Sequence, residues 1–101
     1  MTYADGTYMK FADNVMVRID VPIGYWVGTV GFDTLDNVAD GTIVGVWTKD
    51  GKTYYDKSVW VASRAKAISL GMSCNQMAIW DNEGQTEIWL NARSQINSKV
   101  K

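Results

Sequence analysis

Hydrophobic and polar residues alternate in several stretches of the chain, which is the periodicity of β-strands. The first clear example is residues 15–21, where an aliphatic residue stands at every second position. This alternation predicts a strand with one buried aliphatic face. A Val-Pro-Ile-Gly turn follows and leads into Tyr25–Phe32, which is predicted to return as the second strand of the same hairpin.

The strongest hairpin signal is the Asp50-Gly51 pair between the apolar stretches Ile43–Lys49 and Lys52–Val61. Asp-Gly is typical of a two-residue type I′ turn, which sets the register of both strands. The predicted register places Trp47 opposite Tyr54, and it divides the hairpin into two faces. One face carries Val44, Val46, Tyr55, Val59 and Val61; the other carries Ile43, Trp47, Tyr54, Asp56, Ser58 and Trp60.

A short helix is predicted over residues 65–70, with Ser63 as its N-cap and Gly71 as the left-handed residue after its end. A second hairpin is predicted from residues 76–80 and 86–90 around an Asp-Asn-Glu-Gly turn. Its alternation places Met77, Ile79, Ile88 and Leu90 on one face and Gln76, Ala78, Trp80, Glu87 and Trp89 on the other. Residues 92–101 are polar and are expected to fray.

These elements predict an α+β fold, with an antiparallel sheet of five to six strands and one short α-helix. A chain of 101 residues has the usual length of one domain. We therefore expect a single domain over residues 1–101.

Composition and charge exclude several classes of function. The net charge is −1, which does not favour nucleic-acid binding. No apolar run approaches the roughly 18 residues of a membrane span, so we expect no membrane association and a place in the cytoplasm of a host cell. The chain has no histidine and one cysteine, which removes the commonest catalytic base and any intrachain disulfide. We expect no catalysis and no cofactor.

The tryptophans are the most distinctive feature. If the aliphatic rows of the two hairpins form the core, an aromatic face of the sheet points outward, where aromatic residues often bind protein partners. The alternative is that the tryptophan row packs beneath the helix. The candidate binding residues are these aromatic residues and nearby polar ones: Trp47, Tyr54, Asp56, Trp60, Arg64, Gln76, Trp80 and Trp89.

Two further chemical interpretations concern carboxylates. Asp33, Asp36 and Asp40 lie in one loop and are candidates for a divalent cation, although their spacing does not match an EF-hand. Asp56 and Glu87 share the predicted aromatic face, as the two carboxylates of a sugar site would. A structural role is the favoured interpretation in both cases, and no metal site is predicted.

Residues 53–81 carry a recognisable pattern. It consists of a Tyr-x-Asp-x-Ser strand, a short helix led by Arg64, and an Asn-Gln-x-Ala-Ile-x-Asp segment that begins at Asn75. The pattern resembles that of small uncharacterised proteins encoded by phages and related mobile elements. The resemblance implies an accessory protein of such an element, often an inhibitor or a small particle component.

We therefore expect a non-catalytic interaction protein, in particular a phage-type or anti-defence inhibitor that binds a host protein through the aromatic sheet face. One alternative is a protein that sequesters a small ligand or nucleotide, using Arg64, Lys57 and a stacked tryptophan. Another is a small structural protein of the virion. A second copy of the chain is a further candidate partner.

Overall fold

The computed structural model describes residues 3–90. It confirms the α+β fold, with one antiparallel sheet of seven strands and, among the described residues, a single α-helix. The elements are β1 (Gly6–Lys10), β2 (Met16–Arg18), β3 (Tyr25–Phe32), β4 (Ile43–Lys49), β5 (Lys52–Val61), α1 (Arg64–Ser73), β6 (Ala78–Asp81) and β7 (Thr86–Trp89). The sheet has more strands than the predicted five to six because β1 was not anticipated.

The chain divides into two compact units. The first comprises Met1–Asp20 and Val30–Ser58, and the second comprises Val21–Thr29 and Val59–Lys101. The predicted fraying of residues 92–101 lies outside the described residues. Each unit has its own hydrophobic core.

The first unit is built on strands in the order β2-β1-β4-β5. The β4–β5 hairpin has the predicted register, with Trp47 opposite Tyr54 and Val46 opposite Tyr55. Asp50 and Gly51 both have positive φ, at 54° and 77°, as a type I′ turn requires. The buried face of this unit carries Tyr8, Met16, Val44 and Val46, and Val38 from the loop before β4 covers it.

The prediction for residues 15–21 was wrong in two respects. Only Met16–Arg18 forms a strand, and it pairs with β1 instead of β3. The aliphatic row also faces outward, since Val15 and Val17 are 50% and 52% exposed whereas Met16 is buried. Alternation identifies a strand, but the pairing partner decides which of its faces is buried.

The second unit contains the strand order β3-β6-β7 and the helix α1. Ser63 is the N-cap as predicted, and its side chain accepts a hydrogen bond of 3.3 Å from the backbone N–H of Lys66. The helix runs past Gly71, so the assignment of Gly71 as the residue after its end was wrong. Asn75 takes that place with φ of 58°, and the N–H of Gln76 bonds to the carbonyl of Gly71 in a Schellman motif.

Gly71 lies inside α1 because the helix approaches the sheet closely at this point. A Cβ at Gly71 would lie 2.6 Å from Leu90 Cδ1 and 2.8 Å from Ile79 Cγ2. The helix therefore covers the aliphatic row of the second hairpin. For Trp80 and Trp89 of this hairpin, the packing contradicts the alternative in which the tryptophan row lies beneath the helix.

The helix α1 has ten residues, whereas an α-helix needs about 20 to cross a bilayer. Between residues 3 and 90, no helix combines the length and the apolar composition of a membrane span.

Candidate functional site

A tryptophan-rich surface lies on the side of the second unit opposite to α1. We call it the indole face and define it by Trp26 on β3, Trp80 on β6, and Glu87 and Trp89 on β7. Trp26 is paired with Trp80, and Trp80 is paired with Glu87. Because side chains alternate along a strand, these residues point away from their neighbours Val27, Ile79 and Ile88, which pack with α1.

The side chains of the indole face become more exposed from β3 and β6 to the edge strand β7. Trp26 and Trp80 are half-buried, Glu87 is exposed, and 56% of Trp89 is exposed. Trp89 is paired with Ala78, so it lies diagonally from Trp80, a separation of about 7–8 Å in an antiparallel pair. Within residues 3–90, none of these four side chains makes a hydrogen bond or ion pair.

Trp60 has a structural role as well as an exposed surface. Its indole Nε1–H donates a hydrogen bond of 2.9 Å to the carbonyl oxygen of Ile23, and 40% of the residue is exposed. Asn82 donates to the same oxygen at 3.2 Å. The ring lies directly over Gly24, where a Cβ would come within 2.4 Å of it. Trp60 therefore fixes the Val-Pro-Ile-Gly segment.

In the first unit, three of the predicted site residues lie together on the β4–β5 hairpin. The rings of Trp47 and Tyr54 stack with their centroids 4.7 Å apart. Asp56 lies nearby and accepts hydrogen bonds from the side chains of Ser58 and Trp47. Gly45 is paired with Asp56 and leaves room for its carboxylate, since a Cβ there would lie 2.6 Å from Asp56 Oδ1.

Burial raises the pKa of Asp56 from 3.8 to about 6, and the hydrogen bonds from Ser58 and Trp47 oppose this rise. The desolvation of the carboxylate exceeds the stabilisation that its two donors provide. Both donors belong to the same hairpin as Asp56. We therefore interpret Asp56, Ser58 and Trp47 as a hydrogen-bonded polar cluster that stabilises the hairpin. With a pKa of about 6, the carboxylate of Asp56 titrates in a mildly acidic range.

Arg64 and Gln76 lie at the two ends of α1. Arg64 is the first residue of the helix and is exposed. Gln76 is half-buried; its backbone closes the Schellman motif, and its side-chain Nε2 lies 3.5 Å from the carbonyl oxygen of Cys74. The contacts of Gln76 therefore belong to the end of the helix.

Two of the three loop aspartates are engaged, each with a different partner. Asp36 accepts a hydrogen bond of 2.7 Å from Asn14 Nδ2, and Asp40 forms an ion pair of 2.8 Å with Lys10 Nζ. In the part of the chain that the structure describes, no three acidic or cysteine side chains are grouped in a way that could hold a metal ion.

Sequence reasoning missed Trp26 as a member of the indole face. Trp26 alternates with the buried Val27, and that alternation was the available signal. Its pairing with Trp80 is a non-local contact that no turn specifies. Glu87 was placed correctly on the face with Trp80 and Trp89 but was not included in the binding set.

Comparison with known proteins gives no further indication of function. No protein-family model, curated protein or solved structure matches the chain. The resemblance of residues 53–81 to phage and mobile-element proteins therefore stays a prediction.

Proposed function

We propose that this chain is a non-catalytic interaction protein that binds another protein through the indole face. The observation that carries the proposal is the exposure of Trp89 beside Trp80, on the sheet face that α1 does not cover. Tryptophan is enriched at binding hot spots because it buries a large apolar area and keeps one polar donor.

The paired arrangement of the tryptophans favours a protein partner over a small ligand. Trp26, Trp80 and Trp89 follow one another across three strands of a sheet, and sheet faces of this kind present a broad surface. Small-molecule sites are usually concave, and they surround the ligand. A broad aromatic surface instead matches the central part of a protein interface, with polar groups at its rim.

We further propose that the partner is a host protein and that this chain inhibits it for a phage or mobile element. The support for this proposal is the resemblance of residues 53–81 and the absence of histidine from the sequence, which makes a binding role simpler than a catalytic one. The alternatives are a small-ligand binder and a structural component of a virion.

Native mass spectrometry of the full chain purified from host cells tests the proposal. We expect a stoichiometric complex with a protein, and we expect Trp89→Ala to abolish it. Val17→Ala is the matched control, because Val17 is 52% exposed and lies on β2 in the first unit. A complex that survives Trp89→Ala would contradict the proposal, as would a co-purifying small molecule or a large closed ring of this chain alone.

A further inference from the structure

The geometry of the indole face points to the chemistry of its partner. We infer that this face binds a cationic side chain of the partner protein, preferably arginine, between Trp80 and Trp89 and against the carboxylate of Glu87. The inference rests on the proposed function and specifies the partner group that the surface recognises.

Glu87 lies beside both tryptophans of the two outer strands. Glu87 is directly opposite Trp80, which places their Cβ atoms about 4.5–5.5 Å apart. Trp89 follows two residues later on the same face of β7, about 7 Å along the strand. Glu87 thus has the half-buried Trp80 across the strand pair and the mostly exposed Trp89 two residues along its own strand.

The charge of the Glu87 side chain bears on which partner can cover this face. Within residues 3–90, no basic side chain forms an ion pair with Glu87. A purely apolar partner that covered Trp80 and Trp89 would remove the carboxylate from water without compensation. Such burial of an unpaired charge is strongly unfavourable, so a complementary surface must bring a cation to Glu87.

The indole rings beside Glu87 also favour a cation. The face of an indole attracts a cation more strongly than other aromatic rings do, within about 6 Å of the ring centroid. Arginine fits both features of the site, because its planar guanidinium stacks on an indole and forms two parallel hydrogen bonds with a carboxylate. Lysine would satisfy the charge but would not match the planar geometry.

A titration with defined peptides tests the inference on the full chain. The probe is acetyl-tetra-arginine amide, and the matched peptide is acetyl-tetra-citrulline amide, which has a similar shape without the charge. We expect the arginine peptide to shift the indole N–H resonances of Trp80 and Trp89 in a nuclear magnetic resonance spectrum. The citrulline peptide should leave both unchanged, and the affinity should fall as salt increases.

Two variants separate a specific site from general attraction between charges. Glu87→Gln should weaken binding of the arginine peptide by about fivefold or more, which corresponds to the loss of one charge-assisted contact. Glu83→Gln removes the same charge from the exposed turn between β6 and β7, and it should leave the affinity within a factor of about 1.5. Equal effects of the two substitutions would overturn the inference.

The outcomes distinguish this inference from the proposed function. If Trp89→Ala abolishes the protein complex but Glu87→Gln does not weaken it, and the arginine peptide shifts neither indole, the interface stands and the cation site is refuted. If both indole resonances shift with protein concentration alone, a second copy of the chain occupies the face and the inference is also refuted. Selective loss on Glu87→Gln in both assays supports it.

Discussion

Trp60 and Ile23 are joined by a hydrogen bond of 2.9 Å from the indole N–H to the backbone carbonyl, although the residues are 37 positions apart. This bond brings the ring over Gly24, which has φ of 78°. A side chain at Gly24 would face both the strain of the left-handed region and the indole ring. The contact is thus a close approach that only glycine permits.

We predict that Gly24→Ala destabilises the protein by more than backbone strain alone. Gly51→Ala is the control, since Gly51 has φ of 77° and no heavy atom within 4 Å of the added Cβ. Gly51→Ala should cost about 1–2 kcal/mol from strain, and Gly24→Ala should cost about 1–3 kcal/mol more from overpacking. Urea denaturation measures both. Equal losses would show that the Trp60 ring moves away from the added methyl group without a cost in the free energy of unfolding.

The parts of the fold that were predicted correctly depend on local chemistry. Asp50-Gly51 specifies a turn type, and the turn fixes the pairing of Trp47 with Tyr54. Ser63 caps a helix through a bond to a residue three positions away. Local alternation in the second hairpin likewise predicted that Trp80, Glu87 and Trp89 share a face. The observed strand register confirms this prediction.

The parts that were missed depend on contacts between distant segments. β1 contains Gly6 and Lys10 as well as Tyr8, and only its pairing with β4 makes it a buried strand. The outward turn of Val15 and Val17 is likewise a consequence of pairing with β1. Trp26 joined the indole face through β6, and no local signal specifies that pairing.

Asp56 should make stability depend on pH. Because the pKa rises from 3.8 to about 6 on folding, the folded chain holds this proton more tightly than the unfolded chain does. The free energy of unfolding therefore falls as the pH rises from about 4 to about 6, and the loss is complete above that range. The full effect is up to about 3 kcal/mol.

The measurement compares the wild-type protein with Asp56→Asn in urea denaturation at pH 4 and pH 7.5. Asp56→Asn should gain stability relative to the wild type as the pH rises, because its amide carries no charge. Asp33→Asn, an exposed aspartate in the loop before β4, provides the control and should show no comparable gain. A wild-type profile parallel to that of Asp56→Asn would refute the raised pKa.

Lys10 and Asp40 should be coupled in the first unit. Lys10 is 5% exposed, and its ammonium is 2.8 Å from Asp40 Oδ1 and 3.4 Å from the carbonyl oxygen of Phe11. Asp40→Ala leaves a buried ammonium without its counter-charge, which should cost about 1–3 kcal/mol; the outer side of Asp40 is in water, which reduces the loss.

Lys10→Met removes the charge but keeps the length of the side chain, so its effect should be smaller than that of Asp40→Ala. Once Lys10→Met is present, Asp40→Ala should cost less than about 0.5 kcal/mol. A double-mutant cycle by urea denaturation measures this coupling. Additive losses would mean that the ion pair does not contribute to stability.

The helix α1 approaches the sheet so closely at Gly71 that a side chain there would need its neighbours to move. Alanine is the better helix former by about 1 kcal/mol, so an exposed glycine would be stabilised by the substitution. Gly71 is buried, and its added Cβ would meet Leu90 and Ile79 at less than 3 Å. We therefore expect Gly71→Ala to destabilise the protein by about 1–3 kcal/mol. Ser69→Ala, on the exposed side of α1, is the control and should be neutral or slightly stabilising.

The source of that loss can be tested through its nearest neighbour. Leu90→Ala alone should cost about 2–5 kcal/mol, because Leu90 is buried and its removal leaves a cavity. When Gly71→Ala and Leu90→Ala are combined, the added Cβ has room, so the two losses should be less than additive by about 1 kcal/mol or more. Strict additivity would place the strain elsewhere in the helix. A subadditive result identifies the Gly71–Leu90 contact as the point that sets the distance between α1 and the sheet.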